Sequence, residues 1–240
     1  MTPALGMKVV TRQFGTGHTA VTALADVTLS LAAGEMVAVM GPSGSGKTTL
    51  LSLAGGLDRP TDGVVEVEGT DLASLSYSEL ARLRRIRIGY VFQQYNLIEG
   101  LTAAENVSLP LELDGTHRRA ARRAALDALE AVELRDLADR FPEELSGGEQ
   151  QRVAIARATV GDRVVLLADE PTGALDSMTG ETVLAMMRRH CDAGGSAILV
   201  THDARFAAWA DRIVFLRDGR MVDEAVGVDG PDSLLDGSLT

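Results

Sequence analysis

The chain has 240 residues, of which 45% are hydrophobic, and it carries a formal net charge of −11. This length suffices for one α/β domain with a substantial core, and the hydrophobic content excludes extensive disorder. An acidic chain is a poor binder of nucleic-acid backbone, which requires a concentrated basic surface, so we expect no nucleic-acid partner.

The sequence has one cysteine, Cys191, and no apolar run near the ~18–20 residues that span a bilayer. One thiol permits no internal disulfide, which fits a reducing compartment. The first residues also lack a basic segment followed by an apolar one. We therefore expect a cytosolic chain whose contact with a membrane depends on a partner.

A strand, a glycine-rich loop and a helix follow one another at residues 36–40, 41–47 and 48–54. The loop with Thr48 matches the phosphate-binding pattern G-x-x-x-x-G-K-[ST] in full, and glycines there let backbone N–H groups face the phosphates. Lys47, one of only two lysines, supplies a compact positive charge, and the Thr48 hydroxyl can ligate Mg²⁺. The predicted nucleotide ligands of this loop are Gly41, Pro42, Ser43, Gly44, Ser45, Gly46, Lys47, Thr48 and Thr49.

Two later segments differ in character from this strand. Residues 64–68 alternate in part and predict a half-exposed antiparallel strand. Residues 101–137 are rich in alanine, leucine and charge, and we expect residues near 93–157 to form a helical subdomain inserted into the α/β core, with an amphipathic helix over 118–132. The four arginines of that helix could bind nucleic acid or lie on a solvent-exposed face. The lack of aromatic residues between them favours the solvent-exposed face.

The small residues Ser146, Gly147 and Gly148 precede a further predicted helix over residues 149–158. A helix tip of this kind presents free N–H groups and suits a second anion site, although it also serves as an ordinary cap. Two anion sites in different parts of one chain are redundant unless they meet across an interface between two copies.

Apolar runs at residues 164–168, 197–200 and 213–216 predict strands buried on both faces of a mostly parallel sheet. The first run ends in Asp169 and Glu170. An acidic pair after a strand is a weak signal alone, but a phosphate loop needs such a residue for its metal ion. We therefore expect Asp169 to hold Mg²⁺ and Glu170 to polarise the attacking water.

The string from Leu145 to Arg157 resembles the signature of ATP-binding-cassette (ABC) ATPases, and the resemblance extends from Met7 to about Val222. The family implies a P-loop NTPase fold in which the signature closes over ATP held by a second subunit. It therefore implies a single cassette over 1–240 that uses ATP and Mg²⁺ and forms a homodimer with ATP. Composition separately predicts an acidic tail over 223–240, which has five acidic residues and no basic ones.

The resemblance also assigns roles to single residues. Gln93 matches the glutamine that senses the metal, and His202 matches the histidine that contacts the γ-phosphate. Asp176 matches a loop that crosses the dimer interface. Phe14 stands where the family often has a tyrosine stacked on adenine, and it keeps the π-face of that ring without the hydroxyl. Glu149 stands where glutamine is also common.

Residues 92–98, 101–107 and 168–176 are similar to the branch of macrolide exporters, lipoprotein-releasing ATPases and the cell-division ATPase. Members of that branch work with permeases that have a large extracytoplasmic domain, and they often do mechanical work. The resemblance implies a permease partner, a peripheral position at the cytoplasmic face of the cell membrane, and a docking groove near residues 93–102. Since these 240 residues carry no fused permease, we expect the permease to be a separate polypeptide.

Two other classes of function stay open. A soluble ABC ATPase without a permease, acting in DNA repair, chromosome organisation or translation, usually has two cassettes, a coiled-coil insertion or a basic surface. A binding module that does not hydrolyse ATP normally lacks the catalytic glutamate, histidine or lysine. This sequence retains Glu170, His202 and Lys47, which favours a hydrolysing transport subunit.

Overall fold

The computed structural model describes residues 2–173 and 175–226. Its strands are β1 (Leu5–Phe14), β2 (Val21–Leu31), β3 (Met36–Met40), β4 (Asp62–Val67), β5 (Thr70–Asp71), β6 (Ile88–Val91), β7 (Val165–Asp169), β8 (Ser196–Val200), β9 (Arg212–Arg217) and β10 (Arg220–Val226). Its α-helices are α1 (Lys47–Ala54), α2 (Tyr77–Arg87), α3 (Ala103–Leu113), α4 (Arg118–Ala131), α5 (Gly147–Thr159), α6 (Ser177–Asp192) and α7 (Ala204–Ala207).

The strands form two sheets. An antiparallel sheet has the order β2-β1-β4-β5, and a six-stranded sheet has the order β10-β9-β3-β8-β7-β6. All neighbours in the larger sheet are parallel except β10 and β9. The predicted α/β class with a mostly parallel sheet and an antiparallel part near the N-terminus is therefore confirmed.

The core lies on both faces of the larger sheet because alternate residues of its strands point to opposite sides. On β3, Met36 and Ala38 join one hydrophobic cluster while Val37 and Val39 join the other. This arrangement explains the continuous hydrophobic runs of β3, β7 and β8. The same prediction was wrong for β9, in which Ile213 and Phe215 are only half-buried, so helices cover one face of that strand incompletely.

Helices α3, α4 and α5 lie between β6 and β7 in the chain and pack against one another. Residues 92–102, which precede α3, contain no regular element. The amphipathic helix predicted over 118–132 is α4, whose buried positions are Ala121, Ala125 and Leu129. The arginines of its first turns lie at exposed positions, as expected for a solvated face.

The boundary predicted at residue 223 for the acidic tail falls inside a strand, because residues 223–226 belong to β10. The rest of that segment, residues 227–240, lies outside the described residues. Within residues 2–173 and 175–226, no helix has the length and apolar character required to cross a bilayer.

Candidate nucleotide site

The phosphate-binding loop connects β3 to α1 and borders a cavity of about 610 Å³. Every predicted ligand of the loop except Ser45 lines this cavity, and so does Ala23 of β2. Four residues from other parts of the chain complete the lining: Gln93, Asp169, Glu170 and His202. The fold thus brings together five separate sequence segments, and all of them except the one with Ala23 were predicted from motifs to share one site.

The loop needs glycine at position 46. Gly46 is the N-cap of α1 with φ 105°, a backbone conformation that L residues with a side chain rarely adopt. A Cβ there would also lie 2.8 Å from the Leu24 side chain and closer still to the Ala23 carbonyl. The tight contact with β2 allows the N–H groups of the first helical turn, which lack partners within the helix, to border the cavity.

The Lys47 side chain folds back onto the first residues of its own loop. Its Nζ donates hydrogen bonds to the carbonyls of Gly41 and Pro42, at 2.8 and 2.9 Å. Ser45, by contrast, is buried, and its Oγ has no hydrogen-bond partner among the described residues. Its backbone carbonyl accepts a bond from Gly219 N at 3.0 Å, so the β9–β10 turn supports the loop from behind.

The Asp169 side chain, at the end of β7, borders the same cavity as the phosphate loop. Burial raises the pKa of the Asp169 carboxyl, a shift that the neighbouring Thr48 hydroxyl and the positive charge of Lys47 oppose. Gln93 borders the same cavity. Hydroxyl, amide and carboxylate oxygens suit Mg²⁺, which takes few protein ligands when a substrate phosphate supplies others. The described part of the chain has no group of three or more His, Cys, Asp or Glu that could hold a metal ion.

Glu170 and His202 form a pair at the edge of the cavity. The Nδ1 atom of His202 lies 3.0 Å from Oε2 of Glu170; the glutamate side chain is 22% exposed and the histidine 70%. Glu170 adopts φ 47°, which costs a non-glycine residue about 1–3 kcal/mol and is common at active sites. Backbone bonds from Glu170 N to Val200 O and from Gly173 N to Glu170 O hold this conformation.

The signature residues lie elsewhere, at the start of α5. None of Ser146, Gly147, Gly148 and Glu149 lines the phosphate-loop cavity. Ser146 and Glu149 form a capping box in which the carboxylate accepts bonds from Ser146 N and Oγ, both at 2.7 Å, and these bonds lower the pKa of Glu149. The carboxylate of Glu149 is thus engaged with the helix cap.

Two segments of the chain, the one around Tyr95 and the first turn of α6, pack directly against this helix tip. A Cβ on Gly147 would lie 2.7 Å from the Tyr95 hydroxyl, and one on Gly148 would lie 2.9 Å from Cγ2 of Thr179. Thr179 in turn donates to Asp176, the N-cap of α6, at 2.7 Å. The glycines therefore allow the segments that contain Gln93 and Asp176 to approach the tip closely.

Phe14 lies at the end of β1, is 44% exposed and does not line the phosphate-loop cavity. The Arg12 guanidinium stacks on one face of its ring at 4.5 Å from the centroid. Two hydrogen bonds of 2.8 and 2.9 Å fix that guanidinium to Asp58. Sequence reasoning missed this support because Arg12 and Asp58 belong to no motif.

Comparison with known proteins identifies the family. The sequence model described as "ABC transporter" matches residues 24–173, which include the phosphate loop, the signature and Glu170. The chain belongs to the ABC transporter family. The predicted resemblance is confirmed, and the chain is an ABC-type ATPase domain.

The curated relatives include the macrolide export ATP-binding/permease protein MacB of Photorhabdus laumondii subsp. laumondii, 45% identical over 225 residues. That match covers 94% of this chain and 35% of the relative. MacB of Salmonella typhimurium is 46% identical over 222 residues, which are 92% of this chain and 34% of the relative. The chain thus spans about a third of the length of the curated relatives that it matches.

Two solved structures have the same fold. One is the dimeric structure of a bacterial ABC transporter cassette, and the other is a dimeric post-hydrolysis state of an ATP-binding cassette bound to ADP and Pi. Each has a TM-score of 0.86 and 42% sequence identity, and each match covers 93% of this chain and 99% of the solved one.

Proposed function

We propose that two copies of this ABC ATPase domain close over ATP and that the cycle of closure, hydrolysis and opening drives a membrane permease. The observation that carries the proposal is a separation within one chain. The phosphate loop, Glu170 and His202 share a cavity, whereas the signature tip at Ser146 lies outside it. A second copy would supply the missing tip, in keeping with the dimers of the two solved relatives.

In this proposal Lys47 and the backbone N–H groups of residues 41 and 43–49 would hold the phosphates, with Pro42 shaping the loop, and Thr48, Gln93 and Asp169 would hold Mg²⁺. The metal ion, when bound, neutralises charge on the phosphate oxygens. Glu170 accepts a proton from the attacking water. His202 contacts the γ-phosphate, and its 3.0 Å contact with Glu170 also orients that carboxylate. Ser146, Gly147, Gly148 and Glu149 of the second copy close the site through their helix tip, and Asp176 lies at the interface.

Adenine recognition is assigned to Phe14, whose ring has one face covered by Arg12 and is 44% exposed. Replacing Phe14 with alanine should weaken ATP binding about tenfold, at the low end of the ~1–3 kcal/mol typical for base stacking on an aromatic ring. Phe14→Tyr keeps the π-face and should bind ATP like the wild type. Fluorescence titration with a labelled ATP analogue measures both dissociation constants, and equal affinity in all three proteins would contradict the assignment.

The permease is proposed to be a separate polypeptide with a large extracytoplasmic domain, so that the cassette lies peripherally at the cytoplasmic face of the membrane. The names of the curated relatives couple ATP-binding and permease functions in one protein. The solved cassette bound to ADP and Pi, 99% of which is covered by the match, is a dimer of cassettes alone, so the fold of this domain does not require a permease in the same chain. The docking groove is proposed to adjoin residues 93–102, next to Gln93.

Affinity purification of the tagged protein from detergent-solubilised membranes of its own host tests this partnership. We expect a cassette band near its mass of 25.4 kDa together with an integral membrane protein, and loss of that protein after a high-salt or alkaline wash. A single band about three times as heavy would contradict the separate permease. Recovery of the cassette from the soluble fraction with no membrane protein would favour the soluble ATPase class instead.

A further inference from the structure

The capping box at the start of α5 engages hydrogen-bond donors that the composite site would use. Ser146 is the N-cap of α5, and Glu149 is the third residue of the helix. Oε2 of Glu149 accepts hydrogen bonds from Ser146 N and from Ser146 Oγ, both at 2.7 Å. In return, Glu149 N donates to Ser146 Oγ at 3.3 Å. A carboxylate of the chain itself is therefore bound at the tip that is proposed to meet a phosphate.

The hydroxyl of Ser146 can serve only one anion at a time. A serine hydroxyl has one proton to donate, and at Ser146 that proton is given to Glu149 Oε2. By contrast, the N–H groups of Gly147 and Gly148 belong to the first helical turn and need no release, since such groups have no partner within the helix. Donation from the Ser146 hydroxyl to a phosphate oxygen therefore requires that Glu149 first release it.

The Glu149 carboxylate is charged at neutral pH. The hydrogen bonds from Ser146 lower its pKa, and the positive charge of Arg152 lowers it further. Ser146 is exposed and Glu149 is half-buried, so the negative charge lies close to the surface of the tip. A negative charge at a helix N-terminus stabilises the helix. The same charge repels a phosphate group that approaches from outside.

The distances make this repulsion large enough to measure. A phosphate oxygen that accepts a hydrogen bond from Ser146 Oγ lies about 2.8 Å from that atom, and Glu149 Oε2 lies 2.7 Å from it. The two negatively charged oxygens would therefore be at most about 5.5 Å apart. Near a protein surface, two unit charges at this distance change an equilibrium constant by about tenfold.

We propose that Glu149 competes with the γ-phosphate for the signature tip and thereby limits the affinity of the ATP-bound dimer. In the separated chain its carboxylate holds the Ser146 hydroxyl, and on closure the phosphate bound by the second copy displaces it. This inference rests on the proposed function for the composite site. It adds a regulation of that site: the dimer closes against an internal anion, which favours reopening once hydrolysis has removed the γ-phosphate.

The chain offers a matched control for ordinary helix capping. Ser76 and Glu79 open α2 with the same reciprocal hydrogen bonds, and so do Thr102 and Glu105 at α3. Of these three capping boxes, only that of α5 has glycine at the two positions after the cap. The box of α2 has no place in the proposed composite site, so removing the charge of Glu79 shows what capping alone contributes.

The test compares variants in the Glu170→Gln background with ATP and Mg²⁺, by sedimentation equilibrium over a range of protein concentrations. Glu149→Gln removes the charge but keeps the side-chain shape and the capping box, which accepts glutamine. We expect it to lower the dimer dissociation constant about tenfold in about 0.1 M salt. In about 1 M salt, where the Debye length is ~3 Å, the two constants should become nearly equal. A change in helix stability alone would not depend on salt in this way.

Two further variants are the controls. Glu149→Asp keeps the negative charge and should dimerise no more tightly than the Glu170→Gln protein, and Glu79→Gln should leave the dissociation constant unchanged. Tighter dimers in either control, or a tightening by Glu149→Gln that is equally large in high salt, would overturn the inference. If Glu149→Gln leaves the dimer of the Glu170→Gln protein no tighter, this inference alone fails. If neither protein forms a dimer with ATP, the proposed function fails together with it.

Discussion

Replacing Glu170 with glutamine is expected to reduce ATP turnover by about 10³-fold while the affinity for ATP stays nearly unchanged. Glutamine preserves the shape of the side chain and its place beside His202 Nδ1, but it cannot accept a proton from water. Positioned general bases contribute about 10²–10⁴-fold to rate. Because hydrolysis no longer opens the complex, ATP should also trap a dimer of the variant.

Phosphate release measures turnover of this variant, and analytical ultracentrifugation with ATP measures the dimer. Glu143→Gln is a matched control, since Glu143 is an exposed carboxylate that does not line the nucleotide cavity. The control should hydrolyse ATP at the wild-type rate and form no trapped dimer. Wild-type turnover in Glu170→Gln would show that another group acts as the base.

The second large effect is expected at the signature. Ser146→Glu places a negative charge at the helix tip that is proposed to meet the phosphates, so it should prevent the trapped dimer and lower turnover by at least ~100-fold. Binding of ATP to the monomer should survive, because Ser146 does not line the phosphate-loop cavity. In the Glu170→Gln background, equilibrium binding measures the affinity of the monomer for ATP, and sedimentation measures the amount of trapped dimer.

A structural control exists for this substitution within the same chain. Ser76 opens α2 with the same capping box, in which Glu79 accepts from Ser76 N and Oγ. Ser76→Glu therefore loses an equivalent cap, at a cost of ~1 kcal/mol, without altering the proposed interface. If both variants lost the dimer equally, helix destabilisation would explain the result and the role of Ser146 would be contradicted.

Local patterns in the sequence predicted the elements that carry the site. The run at residues 36–40 and the glycines before Lys47 identified β3, its loop and α1, because glycine and hydrophobic periodicity act over a few residues. The buried strands β7 and β8 followed from the same reasoning. The prediction that both faces are buried failed at Ile213 and Phe215, because the sequence of β9 does not reveal how completely helices cover its outer face.

Contacts between distant residues could not be predicted in this way. Glu170 and His202 meet at 3.0 Å across 32 positions because β7 and β8 are parallel neighbours whose C-terminal ends share one edge of the sheet. The sequence analysis identified Arg157 only as the last residue of the signature string and predicted no contact for it. Its partners are the backbone carbonyls of Tyr95 and Asn96, and any residue presents a carbonyl, so no sequence pattern marks this contact.

The composite site is tested most directly by a crystal structure of Glu170→Gln with ATP and Mg²⁺. We expect a head-to-tail dimer in which Ser146 Oγ lies within about 3 Å of the γ-phosphate that is bound by Lys47 of the partner subunit. A dimer in which both signature tips face solvent, or an ATP molecule enclosed by one copy alone, would contradict the account.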